Sequence, residues 1–191
     1  MLSATRHSFI GFALVAVLVI LTVVSLAAAY FWRAAFSSLD AVGNLSAQTS
    51  ALASAEMAVA AAAQWLSGQS DQALRVSRPA DGYFAFRQDP SPGETWSAFW
   101  RDTLAAGYVK TVPSGEPGYT AAYVIHRLCA VDGDPSAPET GCLLRVDDAE
   151  TTSRSTTAAP ITGLAQTQYR ITARAEGPRG AVGFVQAFYW K

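Results

Sequence analysis

Few residues in this chain have the types and spacing that chemistry requires. It contains two histidines, His7 and His126, and two cysteines, Cys129 and Cys142. The cysteines bound the segment Cys-Ala-Val-Asp-Gly-Asp-Pro-Ser-Ala-Pro-Glu-Thr-Gly-Cys, whose Gly and Pro residues ease loop closure. In an oxidising compartment this spacing predicts a disulfide worth about 3 kcal/mol through restriction of the unfolded chain. Two unpaired buried thiols are the alternative. A zinc site lacks a second cysteine pair and sufficient histidines. Asp132-Gly-Asp134 and Asp147-Asp148 are fragments of a calcium loop without its spaced ligand series. No Gly-x-Ser-x-Gly elbow and no phosphate-binding loop occurs, and His126 reads as structural. No catalytic, metal or cofactor site is expected, and the chain does not read as an enzyme. With a net charge of −1 and scattered Lys and Arg, no basic stripe forms, so nucleic acid is not an expected partner.

The remaining candidate for chemistry is the Gly11-Phe12 junction, as a site of processing. A peptidase working at a membrane face needs a flexible, unobstructed backbone just before an apolar helix, and Gly supplies both. From Ser8 to Trp32 there is no charged residue, and only Ser8, Thr22 and Ser25 are polar. A membrane span needs roughly 20 apolar residues. The helical pattern continues through Leu39, Val42, Leu45, Leu52, Met57, Val59 and Leu66, with the strong helix former Ala between them. One helix over 12–67 is therefore predicted, with a transmembrane half (12–32) and an amphipathic half (33–67). Gly43-Asn44 marks a kink or a close approach, and Gly68 is placed to cap the C-terminus. Residues 1–32 admit three readings. A cleaved secretory signal would find a cleavage-like Leu26-Ala-Ala-Ala29, but the apolar run is too long for one. A plain anchor is the second. The third is a short leader, 1–11, removed after Gly11. Arg6 places the N-terminus on the cytoplasmic side and the bulk of the chain outside it, although Arg33 on the far side blunts that asymmetry.

From about Gly68 the composition becomes that of a soluble domain rich in Gly, Pro, Ser and Thr. Arg78-Pro-Ala-Asp-Gly82 and Asp89-Pro-Ser-Pro-Gly93 are turn clusters around a strand at Tyr83–Phe86. Thr95–Ala106 reads as an amphipathic helix with Trp96, Phe99, Trp100 and Leu104 on its core face. A carbohydrate platform is the less favoured reading of these aromatics. Strands are predicted at Tyr119–Cys129, Cys142–Asp147, Gln168–Glu176 and Gly180–Trp190. Tyr169, Ile171 and Ala173 alternate with Arg170, Thr172 and Arg174, the pattern of a half-buried strand. Gly177-Pro-Arg-Gly180 is a hairpin turn, and 147–160 is a polar connection. The fold class is α+β: a long N-terminal helix packed on a small antiparallel sheet.

Three stretches resemble type IV pilin-like proteins, most of all PilX-type minor pilins. They are Gly11-Phe12-Ala-Leu-Val-Ala-Val-Leu-Val-Ile-Leu; Ala41-Val-Gly-Asn44 with Ala51-Leu-Ala-Ser-Ala-Glu56-Met-Ala-Val-Ala60; and Tyr169-Arg-Ile-Thr-Ala-Arg-Ala-Glu-Gly-Pro-Arg-Gly180 with the apolar strand after it. Together they cover less than half of the chain, and 71–163 resembles nothing familiar. The resemblance implies cleavage after Gly11 by a prepilin peptidase and methylation of the new amine of Phe12. It implies an inner-membrane precursor with residues 68–191 in the periplasm, later packed against major and minor pilins in a filament. Most pilins carry a Glu at the position of Ala16, which neutralises the amino terminus of a neighbouring subunit. Its replacement here points to a minor subunit that primes assembly or sits at a tip. The alternatives are a pseudopilin of type II secretion and a bitopic inner-membrane protein with a periplasmic binding domain.

Overall fold

The computed structural model describes residues 9–146 and 165–191. Arg6, His7 and most of the expected leader lie outside these residues, as does the connection at 147–160. The chain divides into two compact units at Ser46/Ala47.

The first unit is helical wherever it is described. Helix α1 spans Phe9–Ser67 and so begins three residues before Phe12. No proline interrupts it, and the assignment continues through Gly43-Asn44. The large apolar side chains from Phe12 to Trp32 are exposed.

Among the described residues, the second unit is a mixed six-stranded sheet with a covering layer on each face. Its strands are β1 (Tyr83–Phe84), β2 (Lys110–Val112), β3 (Thr120–Arg127), β4 (Leu144–Val146), β5 (Ala165–Glu176) and β6 (Val182–Trp190). β3 and β5 form the antiparallel centre, β6 pairs with β5, and β4 extends the pairing at the start of β5. The expectation of a purely antiparallel sheet is corrected by β1, which runs parallel to β3 with Tyr83 opposite Ile125. A parallel pair needs a long crossover. Here it is the segment holding α2 (Trp96–Phe99), a widened helical turn (Trp100–Leu104) and β2. The single amphipathic helix expected at 95–106 is thus two short pieces. Thr95 caps the first by accepting from the Ala98 N–H, and Ala105 N–H reaches back to Trp100 O in the second.

One face of the sheet receives the second part of α1. Ala55, Ala58, Ala62 and Leu66 recur at helical spacing and pack on Tyr123, Ile125, Tyr169, Ile171, Ala173 and Ala175. The other face is covered by Phe84, Phe99, Trp100 and Leu104 around Val124. This second layer corrects the half-buried reading of β5. Arg170 and Thr172 are buried, and of these three polar residues Arg174 alone is partly open.

α1 ends at Ser67 without a left-handed glycine. Its terminal carbonyls are met instead by the ammonium of Lys191, which donates to Leu66 O (2.8 Å), Ser67 O (3.1 Å) and Gln69 O. A cation at a helix C-terminus satisfies orphan carbonyls and complements the dipole.

The tightest approach of a glycine to another backbone is at Gly183, where an added Cβ would lie 2.2 Å from Ala51 O in α1. Gly183→Ala is expected to cost about 1–3 kcal/mol, the range of overpacked cores. Urea unfolding checks this, and an unchanged midpoint would show that the helix does not rest there.

Candidate functional site

The Gly11-Phe12 junction lies near the start of α1, with Gly11 inside the first turn. Phe12 is 77% exposed. Ala16 follows one turn later and is partly exposed, with no carboxylate to offer an amine. Further along, the Thr22 hydroxyl donates to Val19 O at 2.8 Å. That bond satisfies the hydroxyl within the helix, as an apolar surrounding demands. Tyr30, Phe31 and Trp32 close the run just before Arg33, all strongly exposed. Phe12 to Trp32 is about 30 Å of helix, the thickness of a bilayer core, and aromatic rings gather at bilayer interfaces. This aromatic step is a signal in the sequence that the reading of 12–32 by hydropathy alone passed over. By length and composition α1 is able to cross a membrane.

Cys129 and Cys142 are joined in a disulfide. Cys129 is buried at the end of β3. The loop it closes is held by Asp134, which pairs with Arg75 at 2.6 Å and accepts from the Ser136 N–H and hydroxyl. Those hydroxyl and backbone bonds, more than Arg75, hold the Asp134 carboxyl below the usual range. Asp134 is therefore occupied by this loop, and among the described residues no group of three His, Cys, Asp or Glu could hold a metal ion.

Two buried polar clusters flank the sheet. On the α1 face, Arg127 is fully buried and donates to Ala85 O (2.9 Å) and Leu74 O (3.2 Å). Leu74 O also accepts from the Tyr83 hydroxyl at 2.6 Å. Burial raises the Tyr83 hydroxyl well above its ordinary value and pushes Tyr169 up to about 12, so both stay neutral. On the opposite face, His126 stacks on Phe84, and its Nε2 sits 3.1 Å from Gln88 Oε1. Arg170 donates to Asp89 at 2.6 Å and to Gln88 O, and lies over the Trp96 ring at 4.5 Å. His126 faces an amide where a triad would need a nucleophile. Both clusters tie the segment after α1 to β3 and β5.

No protein-family model, curated protein or solved structure matches the chain.

Burial, reinforced by Arg170 and opposed by Asp89, lowers the His126 pKa from 6.5 to about 3. Between those values only the unfolded chain takes up the proton. Stability is therefore retained above about pH 6.5 and lost as pH falls toward 3, by up to about 1.4 kcal/mol per pH unit. Denaturant midpoints measured across this window should flatten in His126→Gln, and an unchanged slope would assign the pH dependence to other groups. Reduction of the disulfide should cost about 3 kcal/mol. Paired unfolding curves with and without reductant measure it, and coincident curves would show that the bond contributes nothing.

Proposed function

We propose that this protein is a type IV minor pilin that joins or primes a filament through α1. One observation carries the reading. A single helix has a first part rich in exposed Leu, Val, Ile and Phe, and a later part seated on a sheet through an alanine stripe. Leaving such large side chains in water costs roughly 1.5–3 kcal/mol each relative to burial. The first part therefore requires lipid or other apolar helices, and a pilin uses both in turn. As a precursor it would sit in the inner membrane with residues 68–191 in the periplasm, where the Cys129–Cys142 bond is stable. After cleavage behind Gly11 and methylation of the Phe12 amine, the helix would exchange lipid for the helices of major and minor pilins. Alanine at position 16 deprives the subunit of the carboxylate that pairs with a neighbour's amine. Such a subunit gains nothing from that pairing inside a shaft, which suits priming or a tip position. A tip pseudopilin of type II secretion, which often lacks that carboxylate, would share these features.

A bitopic envelope protein is the second reading, because an exposed apolar helix is equally content as a permanent anchor. Intact mass and N-terminal analysis of the membrane-fraction protein, with and without the host's prepilin peptidase, separates the two. A chain beginning at Phe12 and carrying one added methyl group is expected only with the peptidase. Gly11→Val should leave the precursor uncut, because its branched side chain obstructs the backbone that the peptidase must reach. An uncut chain in both strains would remove the pilin reading.

A further inference from the structure

On the face away from α1, the covering layer stops short of one end of the sheet. Val124 of β3 lies under that layer, and Thr120 and Ala122 precede it on the same face by alternation. Thr111 of β2 is opposite Ala122, Ala122 is opposite Arg174 of β5, and Thr120 is opposite Glu176. These five residues floor a recess of about 190 Å³, bordered by Trp100 and Ala105 at the end of the widened turn. The small side chains of Ala105 and Ala122 leave it open. All of these residues belong to the second unit.

The recess carries one charge of each sign. Arg174 is partly buried and donates from Nη1 to the carboxylate of the exposed Glu176. Its Nε is buried without a bonding partner among the described residues. A buried donor of this kind calls for an acceptor. Thr111 and Thr120 are exposed and add two hydroxyls. Trp100, nearly covered, supplies an apolar wall. We propose that this recess binds one neutral sugar ring, the terminal residue of a glycan.

Charge and size select that ligand class. A net anion would meet Glu176, and a net cation would meet Arg174. A zwitterion would have to part an ion pair that already satisfies itself. A hydroxyl both accepts and donates. Adjacent sugar hydroxyls can therefore accept from Arg174 and donate to Glu176 while the pair stays intact, in bonds strengthened by the charges. The C–H groups on one face of the ring suit the aromatic wall of Trp100. Drug-sized ligands need roughly 300–1,000 Å³, so this smaller recess has room for one ring and not for a chain of them. The other aromatics of the covering layer stay in the core around Val124; the binding element is the recess beside them, not a flat aromatic platform.

The test uses the full, isotopically labelled chain in phosphocholine micelles, because a glycoside detergent would itself compete. The methyl glycosides of glucose, galactose, mannose and N-acetylglucosamine are added in turn, and amide chemical shifts are followed. At least one glycoside should move the amides of Thr111, Ala122, Arg174 and Glu176, with half-saturation at about 1 mM, as suits a ligand of this size. Glu176→Ala should weaken that binding roughly tenfold or more. Ala105→Phe fills the recess from an exposed position and should abolish it. Unchanged amides at Val124 and Ile171 show that the sheet is intact in each variant. Four outcomes would overturn the proposal: no shift with any glycoside up to about 50 mM, shifts that never saturate, a response undiminished in Ala105→Phe, or an equal response to glycine, which would assign the recess to a zwitterion. None of these bears on whether Gly11-Phe12 is cut, so the sugar site and the pilin reading fail separately.

Discussion

The close approach of α1 to the sheet sets the terms for the rest of the second unit. Ala51, Ala55, Ala58 and Ala62 bring the helix backbone down to the strands, and Gly183 removes a Cβ that would meet that backbone. An alanine stripe contributes little volume, so the core between the layers is filled from the sheet side by Tyr83, Tyr123, Tyr169, Ile125 and Ile171. Two polar contacts then become possible across the same short distance. The Tyr119 hydroxyl reaches Ala47 O at 3.2 Å, and Lys191 reaches the last carbonyls of the helix. Both bond the α1 backbone itself, one near each end of the docked part. A bulky residue in the stripe would lift the helix and break packing and bonds together, because a close-packed interior relaxes poorly.

The segment between α1 and α2 has little pairing of its own, since β1 contributes two residues. Buried cations do that task. Arg127 clasps Leu74 O and Ala85 O on the helix side, and Arg170 clasps Gln88 O and Asp89 on the other. A guanidinium offers five donors in a fixed plane, which suits it to gathering carbonyls from an irregular loop. Charge is costly to bury unless it is bonded in this way. The carbonyls and the Asp89 carboxylate offset that cost, and the two clusters lie side by side: His126 next to Arg127 on β3, and Arg170 opposite His126 on β5. The disulfide at Cys129 closes the next loop along β3, so loop 71–89 and loop 130–142 are fastened to the same strand end.

This explains which parts of the fold were legible in the sequence. The long helix was visible because apolar and alanine periodicity over many turns leaves few alternatives. The long strands β3, β5 and β6 fell inside the predicted segments, the short β4 was reached only through the segment that starts at Cys142, and the cysteine spacing suggested its own bond. β1 and β2 were not fully legible, because two or three residues carry no period, and a parallel partner leaves no local mark. The burial of Arg170 and Thr172 was misread because the cover of this face comes from the segment 84–104, with Trp96 over Arg170, far away in sequence. Alternation of polar and apolar residues reports an exposed face only when no second layer exists. Lys191 gave no warning either, since nothing local links a terminal lysine to a helix end 125 residues earlier. For the candidate site, Gly11, Phe12 and Ala16 were found by pattern. The aromatic step at Tyr30-Phe31-Trp32 carried an equally readable signal.

The two parts of α1 answer the same physical demand differently. The docked part hides its apolar stripe on its own sheet, and small residues make the fit specific to that sheet. The part from Phe12 to Trp32 carries branched and aromatic side chains all round, a surface that suits lipid or many helices equally and selects none. On the proposed reading this has a consequence for register. A pilin with a carboxylate at position 16 is placed by a charge that tolerates little error in a low dielectric. With Ala16 that constraint is gone, and a uniformly apolar helix slides at little cost. Whatever fixes the position of this subunit must then come from directional contacts made by residues 47–191.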